Sequence, residues 1–161
     1  MRLVIADTGP VNYLVQIGHI GLLPRIFERI ALPTAAEAEL SHPLAPPSVR
    51  LWIAAPPPWL EIHDTAGLPQ PSGLDKGETA AIALAESLRS DLLLIDERQG
   101  SRVAKERGLR TTGTLGLLDL AADRGLVDFA QAIRALEATM FRRPKALLES
   151  LLLKHNKPRA D

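Results

Sequence analysis

Cysteine is absent from the 161-residue chain, which excludes a disulfide framework, thiol chemistry and cysteine-ligated zinc. Aromatic residues make up only 4%, so there is no obvious base-stacking platform of the kind that grips single strands. Excess charge of one sign is missing too. The 19 Lys and Arg balance 19 Asp and Glu, which argues against a protein held on nucleic acid by bulk electrostatics. No run approaches the roughly 18–20 apolar residues of a membrane span, and the apolar start at Met1–Asp7 is too short for a signal peptide. A cytoplasmic protein with no membrane partner is the expectation. Nucleotide-binding glycine patterns and a serine nucleophile with a histidine partner are also lacking. The histidines, His19, His42, His63 and His155, are scattered without metal-ligand spacing and read as surface or loop residues.

What is present fits one globular domain, residues 1–161, large enough to bury a core. Charge is nonetheless segregated. From residue 142 to 161, six Lys or Arg face two acids, a net +4, and the preceding residues carry −4. This basic C-terminal helix and tail is read either as a phosphate or acidic-partner contact or as a solvated helix with a frayed end.

Hydrophobic patterning alternates strands with helices. Leu3–Ala6 reads as a strand ending at Asp7, and Pro10 suits the first turn of a helix running towards Ile17. A helix over 20–28, a short strand over 29–32 and a helix opened by a Thr34–Glu37 capping-box pattern follow. Eight of the 13 prolines fall in residues 43–71. That segment is read as a surface wrap with a short helix near 49–54 and an edge strand near 59–62, not as a linker. Helix 76–88, the apolar run 92–95, helix 99–107 ending at Gly108, and a short strand 109–112 come next. The run 92–95 suits a central parallel strand covered on both faces. Helices over 115–123, 129–139 and 145–153 close the chain, the last with an apolar stripe, Leu147, Leu148, Leu151 and Leu152, read as core or interface. The alternation predicts an α/β fold with a mostly parallel sheet.

Sites in such sheets form at the C-terminal ends of strands. Asp7 and Asp96 end two strands and are predicted to emerge on that edge, with Asp91 on the opposite rim. Glu39 flanks the helix face that Ala36 and Leu40 bury, and Glu78 opens helix 76–88, three residues after Asp75. Each acid also has a purely structural use: Asp7 and Asp96 as helix caps, Glu78 in an Asp75-led capping box, Glu39 in solvent. Two carboxylates about 4 Å apart repel by roughly 4 kcal/mol at an effective dielectric near 20. Four converging acids therefore call for protonation or a divalent cation.

The segments Asp7-Thr8-Gly9-Pro10-Val11-Asn12, Leu32-Pro33 with Glu39-Leu40, Gly77-Glu78-Thr79-Ala80-Ala81-Ile82 and Leu94-Ile95-Asp96-Glu97-Arg98 resemble the motif series of PIN-domain proteins. The similarity extends to Arg102-Val103-Ala104, Gly113-Thr114-Leu115-Gly116 and Phe141-Arg142. It is nearest to the bacterial and archaeal subgroup related to VapC-type toxins. The resemblance implies a PIN-like three-layer α/β/α sandwich and an Mg²⁺- or Mn²⁺-dependent endoribonuclease, with RNA as substrate, an antitoxin protein as partner and a homodimer as assembly. It carries the acidic quartet, catalytic and metal-binding, to Asp7, Glu39, Glu78 and Asp96. Asp7 and Asp96 are the expected direct ligands, with the two glutamates acting partly through water. Thr8, Asn12 and Thr114 are expected to orient ligands or water, and Arg102 to reach a substrate phosphate. Gly9 departs from the pattern, since serine more often follows the Asp-Thr pair. The alternative function is a PIN-like protein- or RNA-binding module with little turnover. A phosphorylatable receiver fits poorly, because Asp7 stands alone at its strand end and Lys105 lies on a helix.

Overall fold

The computed structural model describes residues 2–142 and 144–156. The basic-tail residues Arg143, Lys157 and Arg159 lie outside them. The chain divides into two compact units, one ending at Thr114 and the other beginning at Leu115.

In the first unit, β1 (Leu3–Ala6), β2 (Arg29–Pro33), β3 (Leu60–His63), β4 (Leu92–Leu94) and β5 (Thr111–Thr112) form one sheet in the order β3-β2-β1-β4-β5. Every pairing is parallel, so the mostly parallel expectation is met in full, and with helices it makes a PIN-like α/β/α sandwich. β1 is central and buried along its whole length, which is why Leu-Val-Ile-Ala reads as an unbroken apolar run. Strand alternation sends Leu3, Ile5, Ala31, Leu93 and Ile95 to one face. They pack there with Ala81, Ile82, Leu84 and Ala85 of α5 (Lys76–Leu88) and Ala104 of α6 (Arg98–Glu106). Val4, Ile30, Leu32 and Leu94 point to the other face and are equally buried.

The remaining helices of this unit are α1 (Thr8–Gln16), α2 (Leu22–Ile26), α3 (Thr34–Leu40) and α4 (Pro47–Ala54). α1 starts two residues before Pro10, whose missing N–H costs nothing inside a first turn. α2 stops at Ile26, because buried Phe27 turns extended (φ −117°, ψ 149°) to lead into β2. The Thr34–Glu37 capping box does not form. Pro33 occupies the N-cap, no side chain caps α3, and Thr34 is already helical. The proline-rich segment behaves as expected, giving α4 and edge strand β3. Gly108 takes the left-handed φ of 84° that ends α6.

The second unit holds α7 (Thr114–Asp123, Thr114 itself closing the first unit), α8 (Phe129–Glu137) and α9 (Lys145–His155). α8 packs on α9. Of the leucine stripe on α9, Leu148 is buried, Leu151 and Leu152 are half-buried, and Leu147 is exposed. Among the described residues, no helix is long and apolar enough to cross a membrane.

Candidate active site

From β1 the chain steps outward to β2 and β3, then crosses back to β4 and β5 on the other side. The order therefore reverses between β1 and β4, and the C-terminal ends of the strands at such a switch point open a crevice. Asp7 and Asp96 stand at this point. Register pairs Ala6 with Leu94, and the Asp7 amide donates to the Leu94 carbonyl at 2.9 Å. Asp91 accepts from the Arg2 and Leu3 amides at the opposite rim, as its position on the strand predicts.

Asp7 occupies the N-cap position of α1, yet its side chain makes no capping hydrogen bond. It is 6% exposed, and its Oδ1 is buried with no partner, as is Thr8 Oγ1 beside it. Burial pushes the Asp7 carboxyl up to about 7, against the adjacent Thr8 amide, and the charges of Glu39, Asp75 and Glu78 push the same way. Glu78 is also raised to about 7, by burial and then by Asp75 and Glu97. Asp7 thus feels the charges of Glu39 and Glu78. Asp75 joins them; it caps α5 through the Glu78 amide at 2.8 Å, the structural use its spacing indicated.

Asp96 is not a helix cap, because Glu97 takes the N-cap of α6. Its oxygens are held instead by Thr114, whose amide donates to Oδ1 and whose hydroxyl donates to Oδ2, both at 2.7 Å. Thr114 is fully buried. Burial raises the Asp96 carboxyl while those two donors oppose the rise. Asn12 Oδ1 accepts from Gln16 one turn on. Arg102 is exposed on α6.

Glycines seat two of the four acids, Glu39 and Asp96. A Cβ on Gly77 would press on the Glu39 carboxylate, 3.0 Å from its Cδ. On Gly113 it would lie 2.6 Å from Asp96 Oδ1, and on Gly100 it would lie 3.5 Å from Glu78 Cδ and 2.7 Å from Ile95 Cδ1. Real Cβ atoms almost never sit closer than 3.0 Å, so a side chain at Gly77 or Gly113 would make the Glu39 or Asp96 carboxylate move, and one at Gly100 would displace the end of Ile95. At Gly9 a Cβ would meet Asp96 Oδ2 at an ordinary 3.5 Å. A serine would fit there, and its absence is no steric necessity.

Among the described residues, none of the quartet carboxylates has a lysine, arginine or histidine ion-pair partner. A buried, unpartnered carboxylate oxygen among acids raised in pKa is a poor arrangement on its own and an oxygen-rich setting for a hard divalent cation. Asp7 offers such an ion a free oxygen, but no three donor atoms of the quartet lie within 4.8 Å of one another. A second acidic group, not apparent from sequence spacing, lies in the other unit. Asp119, Asp123 and His155 bring their donor atoms within 4.8 Å of one another. Here Lys154 Nζ already lies 2.8 Å from Asp119 and 2.9 Å from Asp123, and His155 Nε2 lies 2.7 Å from Asp119. His155 is no loop residue: it stacks on Phe129 with centroids 4.6 Å apart.

A family model described as DUF3368, PIN domain, matches residues 3–157. Among solved structures, a PilT N-terminus domain protein from the hyperthermophilic archaeon Sulfolobus solfataricus is similar at 18% identity, with a TM-score of 0.51, over 73% of this chain and 90% of that one. A search of curated proteins finds no match.

Proposed function

The chain belongs to the PIN-domain family, and from that premise we propose that it is an Mg²⁺- or Mn²⁺-dependent endoribonuclease whose catalytic and metal-binding residues are Asp7, Glu39, Glu78 and Asp96. PIN domains are generally metal-dependent nucleases with a nucleic-acid substrate. The observation that carries the finer reading is Asp7: a buried carboxylate at the switch point between β1 and β4, with one oxygen unpartnered and, among the described residues, no ion-pair partner. The two compact units are read as one PIN-type domain, since the matched residues span both.

When bound, a divalent ion supplies an acidified water and neutralises charge building on the scissile phosphate. The protein's own work is to hold the acids still. Thr114 fixes both oxygens of Asp96, the β1–β4 pairing fixes where Asp7 leaves the sheet, and Gly77 leaves room for Glu39 to lie against α5. Asp75, by capping α5, sets the first turn that carries Glu78. Thr8 Oγ1, buried and unpartnered, is a donor available to a ligand or water.

RNA as substrate, an antitoxin as partner, a VapC-like toxin role and a homodimer belong to the same proposal and rest on the motif series. The deciding experiment is cleavage of RNA by the purified protein with Mn²⁺, with EDTA, and with Asp7→Asn. Cutting that is lost in both controls supports the enzyme. Retention of RNA with no cutting under any metal overturns it in favour of a binding module.

A further inference from the structure

A ring of carboxylates repels the polyanion it is meant to cut, so an acidic site needs cations nearby to hold the strand. α6 is the element that starts at this site: its N-cap is Glu97, next to Asp96, and its Gly100 abuts Glu78. Its sequence, Arg-Gln-Gly-Ser-Arg-Val-Ala-Lys-Glu, puts Arg98, Arg102 and Lys105 at i, i+4 and i+7. At 100° per residue these fall within an arc of about 60°, and Gly100 and Ala104 fall on the far side of the helix. The structure fixes that rotation. Gly100 and Ala104 are buried against the sheet, and Ser101 Oγ is 3.1 Å from Thr111 Oγ1 of β5.

All three cations are exposed, and among the described residues none has an ion-pair partner. The contrast with their neighbour is sharp: Arg107, just past the helix, is committed to Glu86 at 2.7 Å. Glu106 flanks the stripe and leaves it net positive. With a rise of 1.5 Å per residue, Arg98 to Lys105 covers about 10.5 Å. Three cations spaced over that length can each meet a backbone phosphate of a strand that runs along the helix.

We propose that Arg98, Arg102 and Lys105 form a phosphate-binding rail that holds the backbone of a single RNA strand leading from the acidic site along α6. The rail rests on the nuclease reading for its choice of RNA, and it reads phosphates, not bases. That mode suits a chain whose two tryptophans, Trp52 and Trp59, are taken up with each other at 6.1 Å between ring centroids.

The test is the salt dependence of equilibrium binding, which needs no turnover. A fluorescein-labelled single-stranded RNA of mixed sequence is titrated by anisotropy with the Asp7→Asn protein in Mg²⁺, over a range of KCl concentrations. The same titration follows with Arg98→Gln, Arg102→Gln and Lys105→Gln added together. Single strands lose about 0.7 in the slope of log K against log salt for each phosphate contact removed, so the slope should become shallower by about 2. A control triple at the other edge of the sheet, Arg2→Gln, Arg25→Gln and Arg89→Gln, removes the same charge and should leave the slope unchanged. Equal slopes for the rail variant and its parent overturn the rail, and so do equal losses for rail and control. A polyglutamate probe that loses as much slope as RNA overturns it in favour of an acidic protein partner. Circular dichroism confirms folding, and Arg102→Glu alone, which should weaken binding further than Arg102→Gln, provides a second variant. Wild-type protein that never cleaves RNA but shows the slope change sinks the nuclease reading and keeps the rail. Protein that cleaves with no slope change does the reverse.

Discussion

Two groups of acids in this molecule have opposite electrostatic fates. Asp119 and Asp123 meet Lys154 and His155. Burial works against the Asp119 charge, but hydrogen bonds from Lys154 and His155 hold its carboxyl below the usual range. At the switch point, Asp7 and Glu78 are pushed up to about 7 by burial and by one another's neighbours. The first group carries its own counter-charge and is complete. The second is built as though the counter-charge arrives from outside. An acidic cluster therefore says little by number alone; what separates a structural cluster from a functional one is whether the chain supplies the cation.

The sharpest break of this contrast is Asp7→Asn. On the proposed reading it removes a metal ligand, and RNA cleavage should fall by at least the roughly 10²–10³ that loss of one preorganised charge-stabilising group costs. The same substitution should raise the Tm of the metal-free protein near pH 8, because a buried charge with no partner disappears. Loss of activity with gain of stability is the signature of a site strained by its function. A drop in both would make Asp7 a structural residue.

Next in size are the glycine seats. Gly113→Ala places a methyl 2.6 Å from Asp96 Oδ1, so Asp96 must leave the two Thr114 donors. Cleavage and metal affinity should fall about 10–100-fold, the usual consequence of disturbing the groups that orient a ligand. Gly9→Ser, with ordinary 3.5 Å clearance, should keep near-parental activity. Kinetics and calorimetric Mn²⁺ titration of the two variants check the pair. Thr114→Val, which deletes the hydroxyl bond and keeps the amide bond, should fall between them, with Thr114→Ser restoring function.

The strand ends that carry Asp7 and Asp96 were legible because two short unbroken apolar runs, Leu3–Ala6 and Leu92–Ile95, are typical of strands covered on both faces. Glu78 was legible through Asp75, whose cap spacing is local. The seats were not. Gly77 and Gly100 sit inside helices, where glycine costs about 1 kcal/mol relative to alanine, and that cost was the available signal that something presses close. The second acidic group was invisible for another reason: Asp119 and Asp123 lie 36 and 31 residues from their partners His155 and Lys154. No local spacing announces a contact made by helices folding back. Thr34 does not cap α3 because Pro33 already ends β2 in the extended geometry that an N-cap needs.

Stability against pH sharpens the contrast further. For Asp7 the ordinary value is 3.8 and the folded value about 7. Between these, the unfolded chain has released a proton that the folded chain keeps, so stability falls as pH rises through that window and levels off above it. The metal-free protein should therefore be less stable, and melt lower, at pH 8 than at pH 5. For Asp7 the difference is on the order of 3 kcal/mol at most, since about two pH units of that window lie above pH 5. Asp7→Asn should remove its own share of the slope and leave that of Glu78, which is also raised to about 7. Mn²⁺ should restore Tm at pH 8, since a ligand of the folded state alone stabilises it by mass action. A flat pH profile would mean that these carboxylates are compensated after all.

The smallest effect belongs to the completed group. Asp119→Asn leaves Lys154 with Asp123 and weakens the hold on His155, whose ring keeps its stack on Phe129. Partly exposed ion pairs contribute little, so Tm should drop by no more than a few degrees, and the drop should shrink in high salt. The direction matters more than the size. Removing a carboxylate from this group should destabilise, whereas removing Asp7 should stabilise the metal-free protein, and Mn²⁺ should leave the Asp119→Asn deficit unchanged. Thermal melts of both variants with and without Mn²⁺ make the test, and a melting temperature that Mn²⁺ raises in the parent only while Asp119 is present would move the ion to the second group.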